Sequence, residues 1–154
     1  MKKLSLFLLS SILLLGTVAC QDTAKTSANA PDSTKENTNV PDAKTVEANK
    51  DDAQSQMRRN QLNADIRAHE ERNNTFNKGG TKRTDAALAT EVRDKLEANI
   101  PGSQLLVDAK DGVVTISGNI FHSANMKKIE LAKQIKGVKS VVNNVKVVQP
   151  KTKS

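Results

Sequence analysis

Cys20 is the one cysteine in the chain. A lone thiol cannot close an intramolecular disulfide, so its chemistry lies elsewhere. It stands directly after Ala19 and after Leu4–Val18, fifteen mostly apolar residues headed by Lys2 and Lys3. Charge, short apolar run and small residue have the order of an export signal, and the run is too short to span a bilayer comfortably. A thiol at that boundary is a candidate for covalent modification. The second chemically capable set is cationic. From Ser123 to the end, Lys127, Lys128, Lys133, Lys136, Lys139, Lys146, Lys151 and Lys153 stand against a single carboxylate, Glu130. Ammonium groups gathered in this way attract an anionic surface, with a strength that salt screens.

Other chemistries find no residues to run them. His69 and His122 have no Cys, His or carboxylate at metal-ligand spacing, so no metal site is expected. His69 sits in a charge-rich HEER run and reads as solvated, as do the carboxylates around it. A phosphate-binding Gly-rich loop and a nucleophile with a plausible base are both absent from the sequence, and neither an enzyme nor a cofactor is expected. The composition has 2% aromatic residues and no Trp or Tyr, which argues against nucleic acid as the partner of the basic face.

The charge is unevenly placed. Residues 20–81 hold nine Lys or Arg against ten Asp or Glu, whereas residues 82–154 hold thirteen against seven. The basic excess therefore belongs to the C-terminal region, which is also where the core is to be found. Leu105, Val107 and Ala109 alternate up to Asp111-Gly112, and Val114, Ile116, Gly118 and Ile120 alternate after it. Period-2 patterning on both sides of Asp-Gly predicts a β-hairpin. Thr84 and Asp85 offer a cap for a helix to about Asn99, with Leu88, Val92 and Leu96 as its buried stripe, and Pro101-Gly102 ends it. Ser123 offers a cap for a second helix, with Met126, Ile129, Ala132 and Ile135 on one side, Lys127, Glu130, Lys133 and Gln134 pointing away, and Gly137 as terminator. Val141, Asn143, Val145 and Val147 then alternate in a last strand.

The order αββαβ predicts an α+β module: a three-stranded sheet with two helices on one face, the third strand parallel to the second through a right-handed crossover. Upstream, residues 21–42 are Ser, Thr, Asn, Asp and Pro with almost no large apolar side chain, and read as a disordered tether spanning about 25 Å as a coil. Residues 43–73 contain neither Pro nor Gly, and Val46, Ala53, Met57, Leu62 and Ile66 form a thin stripe, which predicts a mostly solvated polar helix. Lys78-Gly79-Gly80 predicts a hinge after it.

Two resemblances attach to these residues. Thr17-Val18-Ala19-Cys20 resembles the bacterial lipobox, with Thr where that motif usually has Leu. The resemblance implies that the Cys20 sulfur receives a diacylglyceryl group and that Cys20 becomes the new N-terminus, with fatty chains holding the protein to the membrane. Lipoproteins of cells with two membranes use Asp after the cysteine for inner-membrane retention. Gln21 is not Asp, which implies the periplasmic face of the outer membrane, or the cell membrane where there is only one.

The second resemblance is to the BON domain family, with its turn Gly, its Val-x-Leu-x-Gly-x-Val run, and its Gly-Val-x-x-Val-x-Asn-x-apolar-x-Val run. Those positions here are Leu105, Val107, Gly112, Val114, Ile116, Gly118 and Ile120, then Gly137, Val138, Val141, Asn143, Val145 and Val147. Gly112, Gly118 and Gly137 read as structural turn glycines. The resemblance implies a non-enzymatic envelope module, often linked to osmotic or envelope stress, with anionic phospholipid or an envelope protein as its partner. Family lipoproteins commonly carry two copies, and residues 21–81 show no second one. The expected organisation is a signal peptide over 1–19, lipidated Cys20 and tether over 20–42, polar helix and hinge over 43–81, and BON domain over 82–150. Lys127, Lys128, Lys133, Lys136 and Lys139 are the candidate contacts to an anionic surface. Docking through a sheet edge or through the polar helix is the alternative.

Overall fold

The computed structural model describes residues 24–36 and 38–152, so the export signal and Cys20 lie outside the described residues. The elements run β1 (Ala24–Lys25), α1 (Ala43–Gln54), α2 (Gln56–Asn77), α3 (Asp85–Asn99), β2 (Gln104–Lys110), β3 (Val113–Ile120), a 3₁₀ helix (Ser123–Gln134) and β4 (Ser140–Val147). The architecture is α+β. α3, the 3₁₀ helix and the residue just after it supply Leu88, Val92, Leu96, Ile129, Ala132 and Ile135 to a core closed by Leu105, Val107, Ala109, Val114, Ile116 and Ile120 of the sheet.

The hairpin forms as its sequence predicts. Lys110 pairs with Val113 across Asp111 and Gly112, whose φ values of 53° and 84° give the two left-handed central residues that match the twist of the strands. β4 joins β3 in parallel, Val113 opposite Ser140 and Ile120 opposite Val147. Thr84 caps α3, its hydroxyl accepting from the Ala87 amide at 3.2 Å.

The sheet has four strands, not three, in the order β1-β2-β3-β4. The extra strand comes from the stretch read as tether: Ala24 pairs with Val107 and Lys25 with Leu106. The β2 edge is a row of open backbone groups that an extended segment can satisfy. The Thr26 hydroxyl anchors the addition, donating to the Ser103 carbonyl and accepting from the Leu105 amide, both at 2.9 Å. The chain then lies along the sheet face turned away from the helices. The Ser117 hydroxyl donates to the Thr34 carbonyl at 3.2 Å, and Ala30 is buried together with Gln104, Leu106, Ser117 and Asn119. At the far end the Pro41 carbonyl accepts from the Lys151 amide at 2.9 Å.

The single polar helix expected over 43–73 is two helices broken at Ser55, whose hydroxyl accepts from the Arg58 amide at 3.1 Å and starts α2 afresh. Ala53 and Leu62 of the thin stripe are buried, while Met57 is 83% exposed. The predicted cap at Ser123 also does not form. His122 is the capping residue, without a side-chain bond, and Ser123 is already inside the 3₁₀ helix. The 3₁₀ form has a reason in the sequence. Met126, Ile129 and Ala132 are spaced by three, with Ile135 next in step just past the helix end, and a helix of three residues per turn sets such a row on one edge. Ile129, Ala132 and Ile135 are buried there and Met126 is partly so.

Candidate functional site

The five candidate lysines do not form one cluster. Lys127, Glu130 and Lys133 recur at intervals of three and share an exposed edge of the 3₁₀ helix, with Lys133 paired to Glu130. Lys128 turns the other way and donates to the Asn99 carbonyl at 2.8 Å, serving the C-terminal end of α3, where a cation suits both the open carbonyls and the dipole. Lys136 donates to the Gly79 carbonyl at 3.3 Å. Lys139 donates to the Asp111 carbonyl at 2.9 Å. Lys127 and Lys128 thus lie at the end of the module where α3 finishes, and Lys136 and Lys139 at the hairpin-turn end. Three of the five are thus fastened to backbone carbonyls.

The glycines sit where packing requires them. A Cβ on Gly112 would stand 2.9 Å from the Gly137 carbonyl oxygen, and one on Gly118 would stand 1.9 Å from that of Gln104. Gly137 faces Leu88 and the Thr81 carbonyl. All three meet contacts within the fold: Gly112 is in the hairpin turn and Gly137 follows the 3₁₀ helix, whereas Gly118 lies inside β3 and not in a turn.

One polar constellation was not foreseen. Glu91, Asp94 and Glu97 recur at intervals of three along α3, and all are buried, at 4%, 0% and 3% exposure. α2 covers them, running back along α3 so that Arg58 reaches Glu97 while Asn73 meets Gly80. Arg58 grips Glu97 with two bonds, Nε to Oε1 at 2.6 Å and Nη2 to Oε2 at 2.9 Å, and the carboxylate holds the guanidinium above its ordinary pKa. Arg83 pairs with Glu91, both nearly sealed from solvent. Asp94 is less well served. Arg93 Nη1 lies 2.8 Å and His69 Nε2 3.8 Å from its oxygens, yet neither oxygen receives a well-directed hydrogen bond. Burial therefore pushes the Asp94 carboxyl up to about 6, against the pull of Arg93. His69, expected to be solvated, is packed here at 16% side-chain exposure, and burial lowers its pKa. The sequence signal for this layer is the acidic interval of three on α3, but its partners lie up to 39 residues away.

Asp94 gives a pH-dependent prediction. Its folded pKa lies above the ordinary 3.8, so its contribution is present below about pH 4 and lost as pH rises through about 6. Asp94→Asn is then expected to stabilise the protein at pH 7.5 by up to about 3 kcal/mol and to change little at pH 4. Urea unfolding at the two pH values decides it. Equal effects at both would mean that Asp94 is not the titrating group.

Among the described residues no group of His, Cys, Asp or Glu could hold a metal ion, and no helix is long and apolar enough to cross a membrane. What the geometry defines is a small sheet-and-helix unit with a glycine-dependent hairpin and a parallel third partner. That unit is recognisable. Residues 84–149 match the BON domain family. The chain is also 38% identical over 65 residues to the Osmotically-inducible protein Y of Escherichia coli (strain K12), a match covering 40% of this chain and 32% of that protein. The chain therefore spans about a third of the length of this relative. In this structure the BON segment runs from the cap of α3 to just beyond β4, while β1, α1 and α2 lie outside it and pack onto it.

Proposed function

We propose that this chain is a non-enzymatic envelope module, anchored by lipid at Cys20, whose BON segment rests on anionic phospholipid surfaces and supports tolerance of osmotic or envelope stress. The observation that carries the reading is the distribution of exposed lysines, which the 3₁₀ helix and the loop after it hold out from an apolar row. The similarity to a protein named for osmotic induction supports the stress context. A lipid anchor raises the local concentration of the module at the bilayer, so individually weak lysine contacts suffice for reversible docking. The location that fits is the periplasmic face of the outer membrane, or the cell membrane where it is the only one.

The purified chain is expected to sediment with phosphatidylglycerol vesicles at low salt and to be released by 0.5 M salt. Lys136→Glu and Lys139→Glu together are expected to weaken binding by more than about tenfold, since each lysine near such a surface contributes about 1 kcal/mol. Failure of the unmodified chain to sediment at low salt would end the lipid reading. In cells, Cys20→Ala is expected to move the protein from the membrane fraction to the soluble one. A second reading, docking of an envelope protein by strand addition, is favoured by β4. Among the described residues no strand pairs with its outer edge, and Val142 and Val147 are exposed beside it. Binding that survives high salt would select it.

A further inference from the structure

β1 changes the geometry of anchoring. The sequence suggests a tether of 22 residues, but the structure commits the chain from Ala24 onward to the sheet. Only four Cα steps separate Cys20 from Ala24, a reach of at most about 14 Å. The direction is set as well. β1 runs antiparallel to β2, with Ala24 opposite Val107 and Lys25 opposite Leu106, so the chain comes into β1 from the side of Asp108 and Lys110. That is the end of the module bearing the hairpin turn.

The same end is the one where separate elements gather cations. The Lys139 amide donates to the Gly112 carbonyl and its ammonium to that of Asp111. Lys136 bonds to the Gly79 carbonyl, and its own carbonyl accepts from Arg83. This draws the loop carrying Lys78 and Lys82 up beside the turn and Lys110. All five lysines are exposed. Asp85, Asp108 and Asp111 share this end, and Asp85 is turned onto the Asp111 amide at 2.9 Å. Arg83 is neutralised by buried Glu91.

We infer that the hairpin-turn end is the bilayer-facing surface, with Lys78, Lys82, Lys110, Lys136 and Lys139 meeting the phosphates of anionic headgroups, while the end bearing Lys127 and Lys128 faces away. The inference rests on the reading of Cys20 as the lipid anchor. It narrows the lysine set: the exposed edge that begins at Lys127 serves docking only toward its Lys136 end. It also makes the module a close-held cap on the membrane, not a domain on a long leash.

The test uses the full lipidated chain in vesicles containing phosphatidylglycerol and a bilayer-embedded quencher. A fluorophore is placed at Ser140→Cys, at the turn end, or at Ser123→Cys, at the opposite end. The expected result is at least threefold stronger quenching at Ser140→Cys, reduced by Lys82→Gln, Lys110→Gln and Lys139→Gln together and unchanged by Lys127→Gln. Equal quenching, or stronger quenching at Ser123→Cys, overturns the orientation. Mass analysis of the N-terminal peptide separates the two readings. If Cys20 carries no lipid the anchoring reading fails by itself, and the two labels on a Cys20→Ser chain still decide the surface. No quenching at either position then overturns it too.

Discussion

Gly118→Ala is expected to cost most of the stability of the module. The added methyl would stand 1.9 Å from the Gln104 carbonyl oxygen and 3.2 Å from Leu105 Cα, in the strand that β3 must pair with. Gly118 also has φ 119°, a region that L side chains rarely adopt. Relief requires β2 and β3 to separate, and both carry the core residues Leu105, Val107 and Ile116. Backbone strain alone contributes about 1–3 kcal/mol, and the displaced strand raises the total to about 4 kcal/mol or more. For a domain whose whole stability is about 5–15 kcal/mol, this leaves little. Urea unfolding followed by circular dichroism measures it. A loss below about 1 kcal/mol would show that the hairpin opens there without cost.

Arg58→Ala is expected to release α2 without unfolding the sheet. Removing the guanidinium leaves Glu97, 3% exposed, facing only Arg93 Nη1 at 3.4 Å. Breaking one side of a buried pair costs about 3–5 kcal/mol because the remaining charge is stranded. The cheaper escape for Glu97 is to reach water by undocking α2, whose apolar hold on the module is slight: Leu62 is its one buried aliphatic side chain. Amide hydrogen exchange should therefore accelerate across residues 56–77 and stay slow in β2 and β3. Arg58→Met combined with Glu97→Leu should restore much of the protection, since an apolar pair of similar size incurs no desolvation. Uniform acceleration through the sheet would mean that α2 and the core unfold as one unit.

These two substitutions mark the boundary between what local sequence specifies and what it leaves open. Gly118 stands in a period-2 run on one side of an Asp-Gly turn, and both the hairpin and the structural role of the glycine are legible from residues that are neighbours in the chain. The same holds for Thr84 as a cap, for the buried row Leu88, Val92 and Leu96, and for the parallel placement of β4. Arg58 and Glu97 are 39 residues apart, in segments that each look solvated when read alone. Nothing in either segment's periodicity shows that one will be laid over the other.

The lysines divide in the same way. Their exposure follows from the pattern, because Met126, Ile129, Ala132 and Ile135 claim the inner edge and leave Lys127, Glu130 and Lys133 outside. Which of them stand together does not follow. Lys128 is drawn to the end of α3 and Lys139 to the hairpin turn by carbonyls that only the packed fold brings within reach. The row of apolar residues at intervals of three was itself a signal for a 3₁₀ helix, since an α-helix would let that row drift around its surface.

By itself the sequence determined the module: its elements, its core, its turn glycines and the excess of positive charge upon it, because each of these depends on spacing along a few residues. Tertiary structure alone decided that Ala24–Lys25 completes the sheet, that three carboxylates are buried under α2, and that the lysines face two different ends. Each of these depends on backbone groups or charges far apart in the chain. A two-residue strand has no periodicity to read, and a buried ion pair has in each half the same composition as a solvated face.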